Sequence, residues 1–205
     1  MKYLIISILF CSTFCYSQEN ITYKQANDVE FAKNYKNATD FNSYTSENGT
    51  TISVGDTLII GKPSSDLKQY NQYTGNLSVF SNIIIGKMGM AAMTGLNYLP
   101  ANSSGNKVIV EFIRVNHTKL KKKSPLYAYA FVKNPQVSNI AAGRTILNLE
   151  KALSLGEIIS KNAPMTREQA IAKLKEAKDL YDLQIISESE YNELRKELTP
   201  IITNK

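Results

Sequence analysis

The sequence has little cysteine and histidine, and both shortages narrow the chemistry that the chain can carry. Its 205 residues include two cysteines and one histidine. Because Cys11 and Cys15 both fall within the first 18 residues, a chain beginning near residue 18 or 19 has no disulfide and no thiol nucleophile. No other metal-binding residues occur around His117 at the spacing of a zinc site. The sequence also lacks the Gly-x-Ser-x-Gly motif that holds the nucleophilic serine of many hydrolases. We therefore expect no metal and no cofactor, and interpret His117 as a structural or surface residue.

Long apolar runs are also missing beyond residue 18. None approaches the roughly 18 residues that a transmembrane helix needs, so we expect no membrane-spanning segment in the mature chain. The first 18 residues contain Lys2, a short apolar run from Tyr3 to Phe10, and then small and polar residues. This order is typical of a cleavable signal peptide and predicts a secreted or periplasmic protein. A lipid anchor at Cys15 is not favoured, because the bulky Phe14 precedes it.

The chain has no large excess of charge. It contains 24 Lys and Arg and 18 Asp and Glu, and the net charge of +6 becomes +5 once Lys2 is removed with the signal peptide. A charge of this size, spread over the chain, does not indicate sequence-specific binding of nucleic acid. Four lysines do lie close together on one predicted loop: Lys119, Lys121, Lys122 and Lys123. They could bind phosphates or anionic lipid headgroups, and the alternative is a solvated turn without a ligand.

Residues 49–160 have the composition of a β-rich domain. Runs rich in β-branched and aromatic residues are separated by turn-forming residues, and predict about six strands, at 50–54, 57–60, 77–85, 107–117, 126–132 and 145–150. Together they predict an α+β fold in which a compact antiparallel β-barrel or sandwich precedes two C-terminal helices. The polar stretch 19–48 is interpreted as an N-terminal arm with one short helix.

The strand at 107–117 is the longest of these runs. Period-two alternation places Val108, Val110 and Phe112 on one face. Ile113 and Val115 then fall on the other face, with Ile109. Since both faces are apolar, the sequence predicts a central position in the sheet or a position in a barrel.

Residues 161–205 carry the signals of a helical hairpin. Thr166 with Gln169, and Ser187 with Glu190, have the spacing of capping boxes that begin two helices. Pro200 predicts the end of the second helix. Apolar residues recur at helical spacing and form a stripe along the two helices. Ile186 is placed to form a hydrophobic staple on Tyr191. The candidate partner-binding residues of the stripe are Leu174, Tyr181, Ile186, Tyr191, Leu194 and Leu198.

The hairpin resembles a known family. The run from Leu174 to Leu198, LKEAKDLYDLQIISESEYNELRKEL, is similar to the short C-terminal (SHOCT) domain, which has a leucine-spaced helix, a turn before Ile-Ser or Ile-Thr, acidic residues, an aromatic residue and a final leucine. Gln184 stands where the family usually has glycine. The resemblance implies a non-catalytic hairpin, appended to another domain, that oligomerises or docks on a partner.

The sequence leaves three functions open. The first is an exported binding and assembly protein that is not an enzyme, with the stripe packed on the chain's own β domain or on another molecule. The second is a binder of anionic surfaces through Lys119–Lys123, and the third is a hydrolase. For the third, Asp56 and Glu157 are candidate carboxylates, but their positions favour a turn residue and a helix-end residue.

Overall fold

The computed structural model describes residues 20–71, 75–89, 95–119, 124–137 and 143–203. The fold is α+β, as predicted: a curled antiparallel sheet forms a half-barrel, and a two-helix hairpin follows it. The predicted signal peptide, with Cys11 and Cys15, lies outside the described residues. Within the described ranges, no helix has the length and apolar character needed to cross a membrane.

The described elements follow one another along the chain as β1 (Asn20–Thr22), α1 (Tyr23–Asn27), α2 (Val29–Ala32), β2 (Thr39–Phe41), β3 (Ser43–Thr45), β4 (Thr51–Ser53), β5 (Thr57–Ile60), β6 (Lys68–Asn71), β7 (Gly75–Ile85), β8 (Tyr98–Pro100), β9 (Lys107–His117), β10 (Leu126–Lys133), β11 (Gly143–Ile146), α3 (Leu149–Ser154), β12 (Ile158–Ser160), α4 (Arg167–Asp182) and α5 (Glu188–Thr203). A 3-10 turn, Ala101–Ser103, follows β8.

Two sheets share one core. The larger has the strand order β12-β5-β9-β10-β11-β7-β6, with β2 also paired to β9 and β8 to β7. The smaller has the order β1-β3-β4, in which β1 runs parallel to β3. The core lies against one face of the larger sheet, where Leu58, Val108 and Ala130 are fully buried.

The central position of β9 is as the sequence predicts, but a β-bulge accounts for its apolar pattern. The register of β9 against β10 shifts so that Glu111 is an extra residue between the paired Val110 and Phe112. Because an extra residue inverts the alternation, Val110 before the bulge and Ile113 after it both point into the core. The strand therefore has one fully buried face rather than two.

The segment predicted as a polar arm is part of the folded domain. Residues 20–45 form β1, α1, α2, β2 and β3. Ile21, Phe41 and Tyr44 are at most 2% exposed and belong to the core. These apolar residues are isolated among polar ones, so the composition of the segment hides them. Their burial depends on pairing with distant strands, such as β2 with β9.

The turn at Gly55–Asp56 joins two sheets. The strands on either side of it are present, but β4 pairs with β3 whereas β5 pairs with β9 and β12. Gly55 has a φ of +90°, which favours glycine. The Asp56 carboxylate accepts a hydrogen bond of 2.8 Å from the Ser53 amide. Asp56 is therefore a turn residue, as interpreted from the sequence.

The hairpin begins where its capping signals predict. Thr166 and Gln169 exchange hydrogen bonds of 2.9 and 3.2 Å at the start of α4. Ser187 and Glu190 form the same reciprocal pair before α5, at 2.8 and 3.3 Å. Glu190 is exposed, and the hydrogen bonds from Ser187 lower the pKa of its carboxyl below the ordinary value. These contacts satisfy backbone amides that the first turn of a helix leaves free.

The end of α5 differs from the prediction. The helix continues through Pro200 to Thr203, although proline removes one backbone hydrogen bond. The Thr199 hydroxyl donates to the Arg195 carbonyl at 2.6 Å, and the Arg167 guanidinium donates to the Ile202 carbonyl at 2.9 Å. One contact within α5 and one across the hairpin thus support the last turn in helical form.

Candidate contact surface

The predicted apolar stripe lies largely at the interface between α4 and α5. Leu198 is fully buried, and the five other stripe residues are half-buried. Ala170 and Ala177 are the buried residues of α4. None of these three buried side chains belongs to the core cluster of the β domain. The two helices therefore cover part of each other's stripe and form a small core of their own.

The structure brings the stripe residues Tyr181 and Tyr191 into direct contact. Their rings are stacked, with centroids 5.3 Å apart and planes 14° from parallel. The Lys178 ammonium lies 5.0 Å from the Tyr181 centroid and 2.6 Å from the Asp182 carboxylate. The hydrogen bond to Asp182 raises the pKa of Lys178 above its ordinary value. This cluster joins α4 to α5 beside the turn.

The turn between the helices has the geometry of a Schellman motif. The Gln184 amide donates to the Tyr181 carbonyl, and the Ile185 amide donates to the Leu180 carbonyl, both at 2.9 Å. Gln184 itself has a φ of +58°, in the left-handed region. The residue that replaces the glycine of the SHOCT pattern therefore adopts the conformation in which glycine is preferred.

We expect Gln184→Gly to raise the free energy of unfolding of the hairpin by about 0.5 to 1 kcal/mol, because it relieves the left-handed strain at the cost of backbone entropy. Thermal unfolding followed by circular dichroism at 222 nm measures the change. Gln184→Ala is the matched control, since it keeps a Cβ in the same conformation. A lower stability for the glycine variant than for the alanine variant would contradict the expectation.

The hairpin tip, which we define as Leu183 and Ile185, is the most exposed apolar part of the hairpin. The side chains on either side of Gln184 are 69% and 65% exposed. Neither residue belongs to the predicted stripe, because helical spacing defines that stripe and the turn interrupts the spacing. The signal that could have identified them is the Leu-x-Ile pair around the position of the left-handed residue.

The lysine loop is only partly described. Lys119 is exposed, and its backbone amide donates to the Ser124 hydroxyl at 3.1 Å. Lys121, Lys122 and Lys123 lie outside the described residues. Binding of anionic surfaces by this loop stays a prediction.

His117 has a structural position. Its side chain is 7% exposed, and its two ring nitrogens lie 3.0 Å from the Ser124 carbonyl and 3.1 Å from the Tyr35 carbonyl. The imidazole thereby connects the end of β9 to two loops. Within the described ranges, no group of three or more His, Cys, Asp and Glu side chains is placed to hold a metal ion.

Glu157 is the buried carboxylate that sequence reasoning undervalued. It is fully buried, and its Oε1 accepts from the hydroxyls of Ser64 and Ser81 at 2.6 and 2.8 Å. The backbone amides of Ser81 and Asn82 donate at 2.9 and 2.8 Å. Burial by itself raises the pKa of Glu157, but these hydrogen bonds together lower it below the ordinary value. The hydrogen bonds of the carboxylate therefore connect the residue before β12 to β7.

A groove beside α1 was also missed. Two depressions of about 270 and 250 Å³ share Tyr23, and the second is lined further by Asn27, Tyr127 and Lys151. Beneath it, the Tyr44 hydroxyl donates to Glu150 at 2.6 Å. Burial, followed by the contact with Glu150, raises the pKa of Tyr44 above its ordinary value. Its lining comes from distant segments, so no local motif indicates this groove.

Comparison of the chain with models of protein families, with curated proteins and with solved structures finds no match. The resemblance of the hairpin to the SHOCT domain therefore stays a prediction.

Proposed function

We propose that this chain is an exported binding and assembly protein that is not an enzyme, and that the hairpin tip is its contact element. The observation that carries the proposal is the exposure of Leu183 and Ile185, which are 69% and 65% exposed on either side of the turn residue Gln184. Single exposed apolar residues are ordinary on protein surfaces, but exposed apolar side chains that lie together form the kind of patch that marks interaction sites.

The separate core of the hairpin supports this role. Leu198, Ala170 and Ala177 are buried within the hairpin and outside the main core cluster. Two helices of 16 residues bury little apolar surface by themselves, so contact with a further surface would add to their stability. The β domain holds the hairpin and contributes its own surface. The N-terminal 18 residues supply the export signal in this proposal.

The test compares three forms of a chain beginning at Glu19, which keeps every residue that the structure describes. They are the wild type, a tip variant with Leu183→Ser and Ile185→Ser, and a control variant with Leu67→Ser and Leu96→Ser. The control residues are 38% and 45% exposed, precede β6 and β8, and lie outside the hairpin. Circular dichroism first establishes that all three forms are folded.

Each form is then used in affinity capture from the source cell envelope, and every captured polypeptide, including the chain itself, is purified and titrated. We expect a polypeptide whose affinity for the tip variant is at least about tenfold weaker than for the wild type, because two apolar side chains no longer become buried. The control variant should bind like the wild type. Equal binding by all three forms to every captured polypeptide would contradict the proposal.

A further inference from the structure

A second exposed apolar surface lies on the β domain, on the face of the sheet opposite the core. It is formed by Ile59, Ile109 and Ile159, which are 38%, 38% and 50% exposed. They belong to the adjacent strands β5, β9 and β12, and Ile59 is the cross-strand neighbour of Ile159. Ile109 pairs with Thr57, two residues along β5 from Ile59, so the three side chains form one surface. We name it the isoleucine patch.

The charges around the patch and the tip have opposite signs. Lys107 is the direct neighbour of Ile59 on β9, and the exposed Lys161 follows β12. At the hairpin tip, the exposed Glu188 begins α5, and the exposed Asp182, which is paired with Lys178, precedes Leu183. Complementary rims of this kind steer two surfaces together and fix their orientation.

The same asymmetry extends over the chain. Residues 19–166 contain 16 Lys and Arg and 10 Asp and Glu, a net charge of +6. Residues 167–203 contain 6 and 8, a net charge of −2. The hairpin of one molecule is therefore attracted to the β domain of another, and this attraction weakens with added salt.

The patch and the tip do not cover each other within one chain, because both are exposed in the same structure. The length of α4 allows this. A helix of 16 residues is about 24 Å long, and α4 begins seven residues after β12 ends. A helix of this length is long enough to separate the tip from the patch that precedes it. A second copy supplies the surface that the first copy does not.

We propose that the hairpin tip of one copy docks on the isoleucine patch of a second copy. The inference rests on the proposed function and names its partner. The two surfaces in contact differ, so the interface is heterologous: each molecule in a chain of copies uses its tip toward one neighbour and its patch toward the other. Assembly continues until a ring closes or the concentration limits it.

The experiment combines the tip variant with a patch variant, Ile59→Thr and Ile159→Thr, which keeps β-branched side chains at both strand positions. Sedimentation velocity measures the mass of each protein, of the Leu67→Ser and Leu96→Ser control, and of a mixture of the tip and patch variants, from about 1 to 500 μM. We expect the wild type and the control to form larger species as concentration rises. For each of the two interface variants alone, the dissociation constant for self-association should be at least about tenfold higher than for the wild type. Each variant should therefore remain monomeric over most of the concentration range.

The mixture is the decisive sample. An intact patch on the tip variant meets an intact tip on the patch variant, so the mixture should form dimers and no larger species. Self-association of the patch variant equal to that of the wild type overturns the inference, while the tip could still bind another protein. A mixture that stays monomeric also overturns it, as does a wild type that is monomeric throughout. The proposed function fails separately, if the tip variant binds every captured polypeptide as the wild type does.

Discussion

Glu157→Gln is expected to lower the free energy of unfolding by about 3 kcal/mol, the cost of leaving buried hydrogen-bond donors without an acceptor. Glu157 is fully buried, and its two carboxylate oxygens accept from the hydroxyls of Ser64 and Ser81 and from the amides of Ser81 and Asn82. A glutamine amide has one oxygen and a nitrogen that donates. Its NH₂ group would therefore face donors at one of these positions. Urea unfolding followed by circular dichroism at pH 7 measures the loss.

The pH dependence of stability separates this role from simple packing. The folded protein holds the pKa of Glu157 below the ordinary value of 4.5, so the unfolded chain binds the proton more readily. The stabilisation is complete above the unfolded pKa and is lost as the pH falls through the folded pKa. We expect the wild type to lose more stability than Glu157→Gln between about pH 5 and 3.

Glu176→Gln is the matched control for this experiment, because Glu176 is an exposed glutamate of α4. It should leave the stability at pH 7 within about 0.5 kcal/mol of the wild type. A Glu157→Gln protein as stable as this control would show that the donors around the carboxylate find other acceptors, and would contradict the prediction.

Gly61→Ala is expected to cost about 3 kcal/mol, because the new methyl group would overlap the backbone. A Cβ built at Gly61 would lie 1.9 Å from the Gly156 carbonyl oxygen and 3.0 Å from its carbon. The close approach is part of the fold, since the Gly61 amide donates to the Glu157 carbonyl at 2.8 Å. A backbone carbonyl cannot move aside as a flexible side chain does, so the whole connection before β12 must shift.

Gly89→Ala is the control, because a Cβ at this exposed position meets nothing within 4 Å. Its stability should change by no more than about 0.5 kcal/mol. Since Gly61 and Glu157 hold the same segment, the double variant should lose less stability than the sum of the two single losses. A Gly61→Ala protein as stable as Gly89→Ala, measured by urea unfolding, would contradict the close approach.

The two capping boxes of the hairpin illustrate what local patterns can predict. Thr166 with Gln169 and Ser187 with Glu190 act between residues three apart, so their hydrogen bonds depend on the neighbouring sequence alone. The same kind of local signal located β4, β5, β7, β9 and β10, and β9 has the bounds that its composition predicts. The strand predicted at 145–150 was wrong beyond Ile146, because Asn148 caps a helix that begins at Leu149. The left-handed turn residue Gln184 did not interrupt the hairpin, because the Schellman hydrogen bonds formed without glycine.

Other features required contacts between distant residues. The bulge at Glu111 depends on the register with β10, and a shift of one residue changes which side chains face the core. The neighbouring sequence favours a helix-end residue at Glu157. It does not indicate the buried role, because the donors at Ser64 and Ser81 are more than 70 positions away in the sequence. The isoleucine patch has the same origin, since β12, β5 and β9 become neighbours only in the sheet.

The sequence by itself determined the helical hairpin, the positions of the main strands and the α+β class, because caps, turns and β-branched runs act over a few residues. Only the tertiary structure decided that residues 20–45 join the core, that a carboxylate is buried without an ion pair among the described residues, and which apolar side chains remain uncovered. The physical reason is that burial and register depend on strand pairing across long stretches of chain, which no local pattern encodes.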